Sequence, residues 1–319
     1  MSTSLVTVFG GSGFIGRHTV RALAKAGKRI RVAVRHPAKG FFLPPNGTVG
    51  QIAVVKCNAL EADQVEAAVH GADAVINLAG VLHSSGENTF EAVHCDAAEN
   101  IASAAKAAGA RTLVHVSAIG ADKDSDSAYA ATKGEGEARV HEAFPEAAIV
   151  RPSLVFGPED DFFNRFAAMA RFAPALPLIG GGHTKFQPVF VGDVAAAIVE
   201  LVRDPAPGGK VYELGGPNVY SFKELMELML DAICRKRPLV PLPFALATIP
   251  AFVLQFLPKP LLTPDQVTLL KSDNVVTGAN TLATLGIVPT SVEAEVPAYL
   301  WRFRPKGQYD DFVRDRVQA

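Results

Sequence analysis

Cysteine is scarce in this sequence. Only Cys57, Cys95 and Cys234 occur in 319 residues, and their odd number and scattered spacing argue against a disulfide framework or a thiolate metal site. They point instead to a reducing compartment. Net charge is nearly absent as well: 31 basic against 32 acidic side chains leave a formal charge of −1, so nothing draws the whole chain to nucleic acid or acidic lipid. Internal repeats and low-complexity tracts are lacking. Met1-Ser2-Thr3-Ser4 runs directly into an apolar stretch, leaving no room for a signal or transit peptide and predicting a protein that is not secreted. What is abundant is apolar side chain, 49% of residues against 20% charged. That suits a substantial core in one large or two modest domains.

The chain is organised around Leu5-Val6-Thr7-Val8-Phe9-Gly10-Gly11-Ser12-Gly13-Phe14-Ile15-Gly16. Leu5 to Phe9 read as a buried parallel strand, and Phe14, Ile15, Val20, Leu23 and Ala24 as the apolar face of the helix that follows. Gly10 permits a sharp turn off the strand, Gly13 lets backbone N–H groups approach a pyrophosphate, and Gly16 allows close packing of helix on strand. The helix N-terminus, opened by Phe14 and Ile15, then faces the phosphates. A second strand, Arg29 to Val34, follows at the distance a βαβ unit requires.

No carboxylate stands at the end of that second strand, where one would hydrogen-bond the ribose 2′-hydroxyl of NAD. The chain has Val34-Arg35-His36 instead. Arg35, with Arg17 just after the last glycine, suits a 2′-phosphate, so NADP(H) is expected over NAD(H). Asn58 and Ala59, after a third strand at Ile52 to Val55, are placed at the adenine edge.

Strand and helix alternate through the first half. A helix is expected from Ala62 to His70, a strand from Asp73 to Leu78, a long helix from Asn88 to Ala108, a strand from Thr112 to Val116, a helix from Tyr129 to Phe144 and a strand from Ala147 to Val150. This pattern implies an α/β, doubly wound parallel sheet of Rossmann type with a smaller, mostly helical C-terminal lobe. Ligands bind at the carboxyl ends of such strands, which puts Leu78, Ala79 and Gly80, Ser117, and Arg151 and Pro152 at one crevice as cofactor or substrate contacts. The expected division is a dinucleotide-binding domain over 1–158, rejoined by 187–215, and a smaller lobe from 159–186 and 216–319.

Tyr129 and Lys133 are one helical turn apart and share a face, so the ammonium favours the phenolate. With Ser117 they form a candidate acid/base set; both also suit the nicotinamide ribose. Together, Gly10 to Gly16, Tyr129-Ala-Ala-Thr-Lys133 and Arg151-Pro-Ser-Leu-Val-Phe-Gly157-Pro158 resemble the extended short-chain dehydrogenase/reductase superfamily. Val116 to Ala121, Gly134 to Glu137, Asp265-Gln266-Val267 and Asp273-Asn274-Val275-Val276 are similar to one branch of it, the nucleotide-binding accessory subunits of respiratory complex I and their bacterial relatives. Active members of the superfamily carry an asparagine where this chain has His94, so their fourth catalytic group is missing. The resemblance implies NADP(H) held as a structural or regulatory ligand, complex I subunits as partners, and a peripheral place at the cytoplasmic face of the inner membrane, or the matrix side in a mitochondrion. No metal or nucleic acid is expected. The alternative is an NADP-dependent reductase or epimerase acting on a sugar-like or terpenoid carbonyl compound.

Beyond Pro158, the helix from Asp161 to Phe172 is expected to bury Phe162, Phe163, Phe166, Met169 and Phe172. Gly180-Gly181-Gly182 reads as a flexible loop, Val189 to Val191 as a return to the sheet, and Ser221 with Glu224 as a capping box. Pro238 to Pro258 carries no charge. Its prolines argue against a membrane-spanning helix and favour two short apolar helices on a surface. Beside Arg235-Lys236-Arg237, this stretch suits contact with a partner or a membrane surface through 235–260. The tail from Trp301 to Ala319 is read as an arm that orders on a partner.

Overall fold

The computed structural model describes residues 4–203, 209–255, 260 and 262–309. In chain order the elements are β1 (Leu5–Phe9), α1 (Phe14–Lys25), β2 (Arg29–Val34), β3 (Ile52–Lys56), α2 (Ala62–Val69), β4 (Ala74–Asn77), a π-helical turn (Glu91–Asp96) leading into α3 (Ala97–Ala107), β5 (Thr112–Val116), α4 (Ala128–Ala143), β6 (Ala148–Pro152) and β7 (Val155–Phe156). Then come α5 (Phe163–Phe172), β8 (Leu176–Ile179), β9 (Lys185–Phe186), β10 (Val189–Phe190), α6 (Val191–Arg203), β11 (Val211–Leu214), β12 (Tyr220–Ser221), α7 (Phe222–Ala232), β13 (Leu239–Leu242), α8 (Phe244–Leu254), α9 (Pro264–Leu269) and α10 (Val292–Leu300).

Two compact units emerge. The first comprises Met1–Pro152, Val191–Leu214 and Val276–Val288. Its sheet runs β11-β6-β5-β4-β1-β2-β3 with every pairing parallel. Central strands of such a sheet are covered on both faces, and β4 and β5 are buried at every residue, as their apolar sequences require. Strand order reverses between β1 and β4, and Phe9 is in register with Asn77, which is itself in register with His115. The carboxyl ends of the three strands therefore meet along one edge. Helix α1 buries Gly16, Thr19, Val20, Leu23 and Ala24, a 3.6-residue stripe that includes Val20, Leu23 and Ala24 of the expected apolar face and leaves Phe14 and Ile15 half-buried. Residues 276–288, which the sequence division leaves in the smaller lobe, belong to this unit. Glu213 on β11 accepts hydrogen bonds from the Thr277 and Gly278 N–H groups, both at 2.7 Å.

The second unit comprises Ser153–Phe190, Gly215–Val275 and Pro289–Ala319. Phe156, Phe163, Phe222, Leu225, Met226 and Val296 form its core. The Ser221–Glu224 capping box opens α7 as expected. Phe172, expected in the core, is 84% exposed, because α5 ends there and its backbone turns extended at Ala173. Val189 and Phe190 pair with β7 and do not return to the main sheet. The glycine triplet is a tight turn with positive φ at all three residues, packed so closely that a Cβ on Gly180 would lie 2.2 Å from the Phe244 ring.

The uncharged stretch after Arg237 also differs from expectation. Leu239–Leu242 is a strand, paired in parallel with β8, and among the described residues of this stretch it is followed by one helix, α8, with Pro250 inside it. Pairing with a distant strand overrides the local helical pattern. Residues 256–258 lie outside the described residues. Among the described residues no helix is long and apolar enough to cross a membrane. Arg235 and Arg237 direct their Nε groups to the carbonyls of Phe303 and Ala170, both at 3.0 Å. The start of the tail is held in the unit too, since Arg304 donates to the Ala232 carbonyl at 2.8 Å. Residues 310–319 lie outside the described residues.

Candidate nucleotide site

The turn after β1 is shaped by backbone contact. Gly10 has φ +73°, and a Cβ there would lie 2.7 Å from the Leu78 carbonyl. A Cβ on Gly16 would lie 2.3 Å from the Gly10 oxygen, whereas one on Gly13 would meet only that oxygen, at 3.2 Å. Gly10 and Gly16 thus let three backbone segments approach one another, while Gly13 faces space. Gly13 caps α1 in an extended conformation, leaving Phe14, Ile15 and the first-turn N–H groups at an anion-binding helix end. Arg17 lies with its guanidinium 4.9 Å from the centre of the Phe42 ring.

At the end of β4, Asn77 is buried and works in two directions. Its Oδ1 accepts from the Ala79 N–H at 3.0 Å, and its Nδ2 meets His115 Nδ1 at 3.0 Å. An amide Nδ2 only donates, so His115 accepts at Nδ1 and carries its proton on Nε2. That Nε2 and the Ser117 Oγ are buried without a hydrogen-bond partner among the described residues. Burial lowers His115 from 6.5 to about 3, aided by the nearby Lys133 charge.

Ser127 caps α4 by accepting from the Ala130 N–H, which fixes the turn carrying Tyr129 and Lys133. Lys133 is 4% exposed and donates to the Val116 carbonyl at 3.3 Å. Burial lowers its amine to about 8 against the opposing pull of Glu137. Gly80 lets the chain pass this amine: a Cβ there would sit 3.4 Å from Lys133 Nζ and 4.0 Å from His94 Nε2.

His94 lies in the π-helical turn, beside Tyr129. Its ring stacks on Phe90, with centroids 5.4 Å apart, and Phe90 also meets Tyr129 edge-on at 5.9 Å. His94 Nε2 accepts from the Val81 N–H at 3.2 Å. The Thr132 hydroxyl donates to the Ala128 carbonyl at 2.8 Å, so its oxygen accepts from His94 Nδ1, at 3.0 Å. One neutral tautomer satisfies both contacts, and burial lowers this histidine to about 3. The group in the place of the missing asparagine is therefore locked rather than available as an acid. The helix expected from Asn88 starts instead as this wider turn, a form that recurs at functional sites.

Arg151, expected at the cofactor, directs its guanidinium to Glu137, with contacts of 2.9 and 2.6 Å. Glu213 stands 4.0 Å away. The Pro152 carbonyl accepts from the Ile119 N–H at 3.1 Å, closing the edge between β5 and β6. A separate cavity of about 510 Å³ is lined by Arg35, His36, Lys56, Asn58, Glu61 and Asn88, among others. Arg35 donates to the Asn88 Oδ1. Asn58 turns its Oδ1 to the Leu60 N–H at 3.3 Å, and the Ala59 carbonyl accepts from Asn100 at 3.2 Å.

The structure thus brings Gly10 to Gly16, Leu78 to Gly80, Ser117 and Lys133 to one edge of the first unit, with Tyr129 beside His94. Arg35 and Asn58 line the cavity described above. A dinucleotide fits this arrangement: the cradle at Gly13 would be crowded by a side chain, and the Ser117 hydroxyl is an orphaned polar atom. Sequence reasoning missed Asn77, His115, Phe90 and Asn88. A polar residue inside each apolar run was a signal for the first two; Asn88 had none, since its role depends on the fold of its loop. Among the described residues no cluster of three or more His, Cys, Asp or Glu side chains forms a metal site.

Residues 6–215 match the model of the NAD dependent epimerase/dehydratase family. The mitochondrial NADH dehydrogenase [ubiquinone] 1 alpha subcomplex subunit 9 of Arabidopsis thaliana is 37% identical, over 96% of this chain and 80% of its own length. A ceramide reductase of Caulobacter vibrioides is 34% identical, over 75% of this chain and 74% of its own. Among solved structures, the NADPH-dependent quinone oxidoreductase QOR2 of Escherichia coli, complexed with NADPH, superposes with a TM-score of 0.73 at 20% identity over 92% of this chain and 99% of that one. That likeness concerns the fold alone.

Proposed function

The chain belongs to the NAD dependent epimerase/dehydratase family and has complex I subunits among its homologues, and on that premise we propose that it is an NADP(H)-binding accessory subunit of respiratory complex I. Near-complete coverage carries this reading: the similarity to the alpha subcomplex subunit spans 96% of the chain, including the lobe through which a subunit would dock.

In this role Gly10, Gly13 and Gly16, with Phe14 and Ile15 at the start of α1, hold the pyrophosphate. Arg35 and Arg17 serve the 2′-phosphate, and Asn58 and Ala59 the adenine edge. Leu78, Ala79 and Gly80 line the path to the nicotinamide; Tyr129 and Lys133 hold its ribose, and Pro152 borders the same edge. Arg151 acts indirectly, by holding Glu137 one turn from Lys133. When bound, NADP(H) supplies hydride chemistry; here it braces the fold. His94 supports the bracing role, because both its nitrogens are committed and no proton passes through it. Docking is assigned to α8, whose Leu246, Ile249 and Phe252 are 55%, 66% and 61% exposed, and which brings the protein to the membrane periphery, on the cytoplasmic or matrix face.

A second reading is favoured by the 34% identity to a ceramide reductase: an NADP-dependent reductase or epimerase with Tyr129 as acid, Lys133 supporting it and Ser117 orienting a carbonyl. Purification from native membranes in mild detergent separates the two. Complex I subunits with retained, non-exchanging NADPH are expected; a partner-free protein that exchanges NADP(H) and reduces a long-chain carbonyl compound would replace the first reading with the second.

A further inference from the structure

We propose that Asn88 sets cofactor specificity by competing with the 2′-phosphate for Arg35, and that this exchange unlatches the loop leading to the Tyr129 site. The inference rests on the NADP(H) reading above.

Arg35 and Asn88 are 53 residues apart in sequence, yet the guanidinium donates to the amide oxygen at the wall of the cavity both residues line. Phosphate is a stronger acceptor than an amide for guanidinium, because both partners are then charged and the planar fork can bind two phosphate oxygens at once. A 2′-phosphate therefore takes Arg35 from Asn88. NAD(H), with a hydroxyl at that place, does not.

The loop is built to transmit the exchange. Ser85 and Asn88 close a tight turn, the Ser85 N–H donating to the Asn88 carbonyl at 3.1 Å and the Asn88 N–H to the Ser85 carbonyl at 3.0 Å. Gly86 supplies the positive φ, +56°, that the turn needs. The Phe90 N–H donates to the Ser84 hydroxyl at 3.2 Å, so residues 84–90 are tied as one piece. Phe90 stacks on His94 and meets Tyr129. Holding or releasing Asn88 thus acts two residues away on the ring that packs the Tyr129 site.

The full chain is tested with NADPH and NADH, reading affinity by nucleotide fluorescence and loop release by cleavage after the exposed Glu87 with a glutamate-specific protease. Asn88→Ala removes the competitor and is expected to tighten NADPH binding about three- to tenfold, the range of one modest hydrogen bond, with NADH unchanged. Asn88→Asp puts a carboxylate on Arg35 and is expected to weaken NADPH binding. Cleavage of the unaltered chain is expected to be at least about threefold faster with saturating NADPH than with saturating NADH, a difference lost in Asn88→Ala. Equal cleavage with the two nucleotides, or Asn88 variants that leave NADPH affinity unchanged, overturns the latch. Arg35→Gln separates the two failures. If it leaves the NADPH to NADH affinity ratio unchanged, the NADP(H) reading falls and the latch with it; if the ratio drops while the Asn88 variants do nothing, the latch alone falls.

Discussion

The Tyr129 ring meets the His94 imidazole edge-on, with centroids 5.3 Å apart and planes at 89°. The phenol is thereby packed against a histidine whose two nitrogens are already engaged, so the aromatic body of Tyr129 is separable from its hydroxyl. Tyr129→Phe keeps the ring contacts and is expected to change stability by less than about 1 kcal/mol, to weaken NADPH binding about three- to tenfold through loss of one ribose hydrogen bond, and to co-purify with complex I unchanged. Any carbonyl reduction should vanish with the hydroxyl. Thermal unfolding, released-nucleotide absorbance and a pull-down from membranes check all three; loss of co-purification would tie the hydroxyl itself to assembly.

His94 and His115 should make the protein acid-sensitive. Burial holds both at about 3, against 6.5 for the ordinary group. Between those values the unfolded chain binds protons that the folded chain refuses. The stability conferred by the neutral rings is therefore complete above about pH 6.5 and declines as pH falls toward 3, with a limiting slope of about 2.7 kcal/mol per pH unit for two groups. Urea midpoints at several pH values measure that slope, and His115→Leu is expected to remove about half of it. A slope untouched by His115→Leu would place the acid sensitivity elsewhere.

The glycines of the first turn should divide into two kinds. Gly16→Ala forces a Cβ to within 2.3 Å of the Gly10 oxygen and so pushes α1 from β1, costing about 3 kcal/mol. Gly13→Ala meets a single oxygen at 3.2 Å and should fold with a loss of about 1 kcal/mol or less, while failing to retain nucleotide. Melting temperature and bound-nucleotide absorbance, measured together, distinguish the two. A Gly13→Ala protein with full nucleotide content would remove the pyrophosphate from that position.

Helix α8 is seated through Phe244, which packs on Gly180, and through Ala247 and Ala251, both fully buried, whereas the exposed Leu246, Ile249 and Phe252 contribute little to the fold. Replacing Leu246, Ile249 and Phe252 together with asparagine is expected to shift stability by about 1 kcal/mol or less yet to abolish association with complex I in native gels. Association that survives the triple substitution would move the docking surface off this helix.

Local rules made much of this molecule legible. The β1–α1 turn, the Ser221–Glu224 cap and the buried strands each follow from residues within one or two turns of each other, and the parallel sheet follows from their alternation. What escaped depends on distant partners. Leu239–Leu242 is a strand because β8 is there to receive it, and Val189–Phe190 leaves the main sheet because β7 does the same. At the site, the Tyr129–Lys133 spacing could be read directly. The commitment of Arg151 to Glu137 could not, since both residue types also suit a ligand. The same holds for His94: its sequence position shows a substitution for asparagine, but only the contacts to Val81 and Thr132 show that its proton is fixed.

The segment 276–288, which closes the first unit by giving the Thr277 and Gly278 N–H groups to Glu213, fixes the timing of biosynthesis. A ribosome will have translated both intervening segments of the second unit before it supplies the last piece of the first. Glu213 spends that interval without these two donors, and nascent chains stalled before residue 276 carry a nucleotide unit lacking this closure. Domains usually fold in the order in which they are made; here the first unit is finished only after two of the three segments of the second have been made.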